Sequence, residues 1–275
     1  YVNAISRQGD DTSTGDYFST GKHLGEINLE DIARQAAKRS TSLLGGRKIK
    51  SVKADILLDP LVAAQFLNLI AEALTADSVQ KGKSLFKDKI GKKLFSLDID
   101  IYDDGIMASG LASAPFDGEG VFKGKTKVFD KGLLKTYLYN TYTARKDNTK
   151  STGNASRNSY RSVPSVGINN FYLEPKKLNF SQILSETGSG FYVMDIIGLH
   201  SGANAVTGDI SVGAKGLWLE EGSMAYPVKE VTIATDFLSL LKSIKRVGKK
   251  LYFIPSSGFI GSPALLVDKI MISGT

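Results

Sequence analysis

The residue types best suited to chemistry gather in one stretch: Gly198-Leu199-His200-Ser201-Gly202-Ala203-Asn204-Ala205-Val206-Thr207-Gly208-Asp209-Ile210-Ser211-Val212-Gly213. It holds one of only two histidines, a run of hydroxyl, amide and carboxylate groups, and four glycines, directly after the apolar run Phe191–Ile197. A buried strand that ends in such a loop brings polar side chains and open backbone close to a ligand or another chain, because glycine has no Cβ in the way. The competing reading is a tight turn in which Asn204 and Asp209 cap their own backbone. A second polar segment, Asn148–Val166, contains Ser151-Thr152-Gly153-Asn154 and Arg157, and a loop of that length inside a compact chain is frequently functional.

Familiar catalytic spacings fail in turn. A zinc hydrolase needs about three fixed N or O ligands plus a base, whereas His23 and His200 stand 177 residues apart and there is no cysteine. S-x-x-K occurs at Ser78–Lys81 and again at Ser84–Lys87, but the S-D-N element that completes a Ser–Lys nucleophile is missing. No G-x-S-x-G elbow, P-loop or G-x-G-x-x-G is present. Asp98, Asp100 and Asp103-Asp104-Gly105 imitate a calcium loop only until Tyr102 and Leu111 fall on ligand positions. Six lysines between Ser78 and Lys93 form a basic stripe, yet without clustered arginine or stacked aromatics a solvated face is the better reading than a nucleic-acid contact.

The elements that must position these groups are legible in outline. Residues 1–27 read as a hairpin or sheet edge. Asn28 caps a helix over about 29–44, which Gly45-Gly46 stops. Val52–Leu58 is a strand, and Asp59-Pro60 supplies a cap and a first-turn proline for a second, largely apolar and therefore buried helix. Leu97–Tyr102 alternates as a strand that turns at Asp103-Asp104-Gly105; runs on either side of Asp130-Lys131-Gly132 form a hairpin; strands dominate thereafter, with short ones around Ala214–Glu220 and Ser223–Tyr226 and a further one over Val228–Ala234. The class is α+β, with two early helices packed on a strand-rich, mostly antiparallel, sheet or barrel-like domain. At 275 residues and a net charge of +7, with no cysteine, the chain can bury a full core without disulfides. No apolar run approaches the roughly 20 residues that span a bilayer, so the expectation is a soluble, cytoplasmic protein.

Several segments in collinear order resemble the TldD/PmbA family, historically called modulators of DNA gyrase and regarded as metallopeptidases. They are Asp77–Ser84, Pro115–Val121, Leu134–Leu138, Ala144–Lys146, Ser151–Ala155, Gly198–Gly213, Gly216–Gly222 and Tyr226–Lys229. The resemblance reaches the C-terminal two-thirds of a typical member, so an N-terminal α/β domain is expected to be missing, with residues 1–50 a remnant of that region and 51–275 the C-terminal domain. Catalytic TldD-type members carry H-E-x-x-x-H on the helix before the D-x-x-x-K-G stretch. Counted back from Asp77, the two ligand positions fall on Leu67 and Glu72 and the general-base position on Asn68. His200-Ser201-Gly202 resembles instead the PmbA (TldE) branch.

The resemblance therefore implies a subunit without catalytic metal, with zinc expected in a TldD-type partner and an extended peptide as substrate. The residues it implies for a peptide cleft are Thr152, Gly153 and Asn154 in the long loop, and His200, Ser201, Asn204, Thr207 and Asp209 in the focal loop. Two alternatives stay open: a homodimeric, non-catalytic peptide-binding protein, and a gyrase-associated nucleic-acid-binding factor.

Overall fold

The computed structural model describes residues 1–274. It opens with the antiparallel hairpin of β1 (Val2–Gln8) and β2 (Asp11–Tyr17), packed on α1 (Leu29–Ser42). The α1 positions buried at helical spacing are Ile32, Ala36 and Ser40, and Asn28 caps the helix by accepting the Asp31 N–H. The approach of β2 depends on Gly15, where a Cβ would lie 2.2 Å from the Ser40 nitrogen.

Next come β3 (Val52–Leu58), α2 (Pro60–Ala73), the short α3 (Ala76–Gln80), β4 (Ile101–Asp104), β5 (Lys125–Asp130) and β6 (Leu133–Leu134). Then follow α4 (Thr141–Lys146), the small ladder of β7 (Ala155–Ser156) with β8 (Ser165–Val166), and β9 (Asn170–Leu173). The last third holds α5 (Phe180–Thr187), β10 (Gly190–Ile197), α6 (Leu199–Gly202), β11 (Asp209–Glu220), β12 (Ser223–Asp236) and α7 (Phe237–Lys242). It closes with β13 (Ile244–Val247), β14 (Tyr252–Pro255), β15 (Phe259–Ser262) and β16 (Leu265–Ser273).

The main sheet runs β12-β11-β10-β3-β16-β13, and a further antiparallel pairing of β12 with β16 joins five of these strands into a ring. All its pairings are antiparallel except β10 with β3. Inward residues such as Ile56, Leu58, Val193, Ile233 and Val267 fill the ring at 1% exposure or less, so its centre is core. The second sheet runs β14-β15-β9-β4-β5-β6. Helix α2 lies between the β14–β15 end of that sheet and β10 of the ring, which is why it is apolar on more than one face. The architecture is the α+β arrangement expected: early helices on a strand-rich, largely antiparallel, barrel-like body.

Three local readings change. The strand expected over Leu97–Tyr102 begins only at Ile101 and continues through Asp103 and Asp104 instead of turning there. The helix expected to reach residue 44 ends at Ser42. What read as separate short strands between 214 and 234 is one long hairpin, β11–β12, whose alternation is interrupted by register shifts between Ala214 and Gly216 and between Trp218 and Leu219.

Candidate functional site

Helix α2 carries the positions that correspond to metal ligands. Asp59 caps it by accepting the Leu61 N–H at 3.0 Å, and Pro60 occupies the first turn. Leu67, nearly two turns before the end, is 4% exposed in the core, while Glu72 is exposed. Asn68 donates from Nδ2 to Glu72 Oε1 at 3.0 Å, the side-chain pair that i,i+4 spacing on a helix brings together. A zinc ion needs lone-pair donors converging on one point. Leu67 has none, Glu72 Oε1 is taken by Asn68 Nδ2, and the lone pairs of Asn68 Oδ1, which has no partner, are those of a neutral amide. Among the described residues no three His, Asp or Glu side chains gather where they could hold an ion. The donor set on α2 does not fit the metal of a peptidase.

The focal loop leaves β10 at Gly198 and forms the single turn α6. Its polar groups serve the loop itself. Asn204 Oδ1 accepts the backbone N–H groups of Val206 (2.8 Å) and Thr207 (3.2 Å), and the Thr207 hydroxyl donates to Asp209 Oδ2 at 2.6 Å. Backbone bonds from Asn204 N to Asp209 O and from Gly208 N to Asn204 O close the turn. The Ser201 hydroxyl donates to the Gly198 carbonyl at 3.2 Å. Of the five residues expected to line a cleft here, Ser201, Asn204, Thr207, Asp209 and His200, all belong to this short exposed or half-buried turn.

In the second group Gly153 and Asn154 are buried and Thr152 is half-buried. Thr152 Oγ1 accepts the Tyr139 N–H at 2.7 Å and lies 2.6 Å from Asn154 Oδ1, to which its proton can be given. Asn154, 2% exposed, donates from Nδ2 to Asp103 Oδ2 (2.6 Å) and to the Gly167 carbonyl (3.0 Å). Gly153 between them has φ +73°, and a Cβ there would stand 2.8 Å from the Phe122 carbonyl oxygen, so the loop rests directly on the 122–123 backbone.

Asp103 is the residue the sequence reading missed. It is fully buried and accepts three N–H groups: Asn154 Nδ2, Asn169 Nδ2 at 2.9 Å and the Asn169 backbone at 2.9 Å. Burial pushes its carboxyl above the usual range, against the opposing pull of the Asn154 and Asn169 donors and the Lys123 charge. Burial also lowers Lys123, opposed by Asp103 and Asp117. The signal was available: Ile99, Ile101 and Asp103 fall on one inward face at period two, and both isoleucines are fully buried.

No hydrogen bond links the two groups directly among the described residues, but both flank the segment that follows α2. Leu138, next to the Tyr139 that holds Thr152, receives the Ala76 N–H, and Leu85 N donates to the Ala205 carbonyl of the focal loop. Elsewhere, two clefts of about 470 and 370 Å³ share Arg39 and Leu61 in their lining. There Arg39 Nη1 and the Tyr192 hydroxyl meet Asp59 Oδ2 at 2.9 and 2.6 Å. Burial holds the Tyr192 phenol well above its ordinary pKa, with Asp59 adding to the effect, so it is a donor there.

The fold and this arrangement place the chain in a defined class. Residues 51–274 match the family model described as the PmbA/TldA metallopeptidase C-terminal domain. The chain belongs to the TldD/PmbA family. It is 30% identical over 271 residues to the metalloprotease PmbA of Escherichia coli O157:H7, a match that covers 98% of this chain and 57% of that protein. The crystal structure of a candidate modulator of a DNA gyrase from Thermotoga maritima superposes with a TM-score of 0.89 at 31% identity, covering 98% of this chain and 61% of that one. TldE from Thermococcus kodakarensis shares the fold, with a TM-score of 0.88 at 22% identity over 98% of this chain and 61% of its own. This chain thus spans about three-fifths of the relatives it matches.

Proposed function

We propose that this chain is the PmbA (TldE)-type subunit of a TldD/TldE-like metallopeptidase complex acting on unfolded peptides or small proteins, and that it holds no catalytic metal itself. The observation that carries this reading is the donor set at 67, 68 and 72: a core leucine and a mutually bonded amide–carboxylate pair stand where a zinc peptidase needs two ligands and a base. Family membership supports the reaction class. Zinc and its activated water belong to a TldD-type partner in the cytoplasm, and this chain supplies cleft wall and assembly surface.

The peptide lies extended and is held through its backbone, which leaves its sequence loosely specified. The chain's own bonding gives the long loop the part of a shaped wall, because the side chains of Thr152 and Asn154 and the backbone N–H groups of residues 152–154 are used inside the protein. His200 is the imidazole donor of the focal loop. Reconstitution with a TldD-type partner tests the reading: chelator-sensitive cleavage of an unfolded peptide by the mixture, with none by this chain alone, is expected. Cleavage by this chain alone, or none by any mixture, overturns it, and in the latter case a homodimeric peptide-binding protein takes its place.

A further inference from the structure

The structure assigns to Asp103 the role of positioning residue for the Thr152–Asn154 segment, whose backbone shape it fixes through Asn154 and Asn169; this rests on the reading of that loop as part of a peptide cleft. A fully buried carboxylate is unfavourable in itself, and an apolar residue of similar volume is often no worse for stability. Its presence is explained by what surrounds it. All three neighbours within hydrogen-bond distance are N–H donors, and an ionised carboxylate, an acceptor at every lone pair, is the side chain of this size that accepts all of them. Asparagine at this position would turn its own NH₂ against one.

From Asp103 the constraint passes outward in two directions. Asn154 ties it to Thr152 and, through the Gly167 N–H donating to the Asn154 carbonyl at 2.7 Å, to the far end of the long loop. Asn169 Nδ2 reaches the Gly153 carbonyl at 3.5 Å. The charged groups that face this network are Lys123, whose Nζ is held by the Ala112 carbonyl, and Asp117, whose Oδ2 accepts the Ala155 N–H. Among the described residues neither forms an ion pair with Asp103, so removing Asp103 acts on the loop through its three donors.

The test compares wild type, Asp103→Asn and the exchange of partners Asp103→Asn/Asn154→Asp, by amide hydrogen exchange on the chain and by kinetics in the complex with a TldD-type partner. In Asp103→Asn, exchange of the Tyr139, Ala155 and Gly167 amides is expected to quicken about tenfold or more while amides of β11 and β12 keep their protection. The KM for peptide should rise with kcat nearly unchanged. The double exchange restores part of both, because the amide introduced on β4 donates to the carboxylate introduced in the loop, while one Asn169 donor and the Gly167 carbonyl each lose a partner. A global loss of protection, unchanged loop exchange, or strictly additive defects in the double variant overturns the assignment. Should Asp103→Asn not fold, Asn154→Ala, which leaves the carboxylate its two Asn169 donors, carries the same expectation for the three amides. If the wild-type complex cleaves nothing, the functional reading fails on its own, and the exchange data still decide whether Asp103 holds the loop.

Discussion

Replacing Asp59 with alanine removes three contacts from one carboxylate. Oδ1 caps α2 through the Leu61 N–H, and Oδ2 receives both Arg39 and the Tyr192 hydroxyl. Asp59 is 4% exposed and the Arg39 side chain 15% exposed, so water reaches neither freely. Loss of an N-cap costs about 1 kcal/mol, and breaking a buried ion pair by removing one partner costs about 3–5 kcal/mol. Arg39 keeps its bond to the Met194 carbonyl, and the losses overlap, so about 4 kcal/mol is the expected total. In urea, with m near roughly 3 kcal/mol/M, that lowers the unfolding midpoint by about 1 M or more. Adding Arg39→Met to Asp59→Ala should recover part of the loss, because the stranded guanidinium is removed. A fall under about 1 kcal/mol, or a double variant with simply additive costs, would refute the reasoning.

Gly153→Ala forces a Cβ into left-handed backbone 2.8 Å from the Phe122 oxygen, and should cost about 2 kcal/mol, seen as a melting temperature lower by about 4–8 °C. Alkali should destabilise the protein. Burial raises the Tyr17 phenol from 10.0 to about 12, so between those values the unfolded chain gives up a proton that the folded chain keeps. Stability present below about pH 10 is therefore lost as pH rises toward about 12, which urea midpoints alongside a phenolate titration would show; a flat profile contradicts it. The lysine stripe should give no steeply salt-dependent DNA binding, since it lacks clustered arginine and stacked aromatics and two of its six lysines, Lys81 and Lys93, are paired with Asp77 and Asp98. A binding constant that falls steeply with salt would reverse that.

Local chemistry made much of the fold legible. Asn28 and Asp59-Pro60 announced two helix starts through their capping groups, and Val52–Leu58 announced a strand by composition. Asn204 capped its own turn as its residue type allows. What stayed hidden depends on distant partners. Closure of the ring needs Thr232–Ala234 of β12 to pair with Met271–Ser273 of β16, and no local pattern encodes a partner so far along the chain. Arg39, Asp59 and Tyr192 come from three separate stretches of chain, and only Asp59 stands out locally, as a helix cap. Asp103 was masked by its type, because an Asp-Asp-Gly run reads as a turn until the inward period of Ile99 and Ile101 is carried two residues further.

The measurement that bears most directly on the proposed role is the zinc content of the purified, tag-free chain after dialysis against micromolar zinc. With Leu67 in the core and Asn68 bonded to Glu72, less than about 0.1 zinc per chain is expected, because a peptidase site needs about three converging ligands. Close to one zinc per chain would contradict the account: His200 with carboxylates such as Glu72 would then have to build a site, and the chain would be a peptidase in its own right.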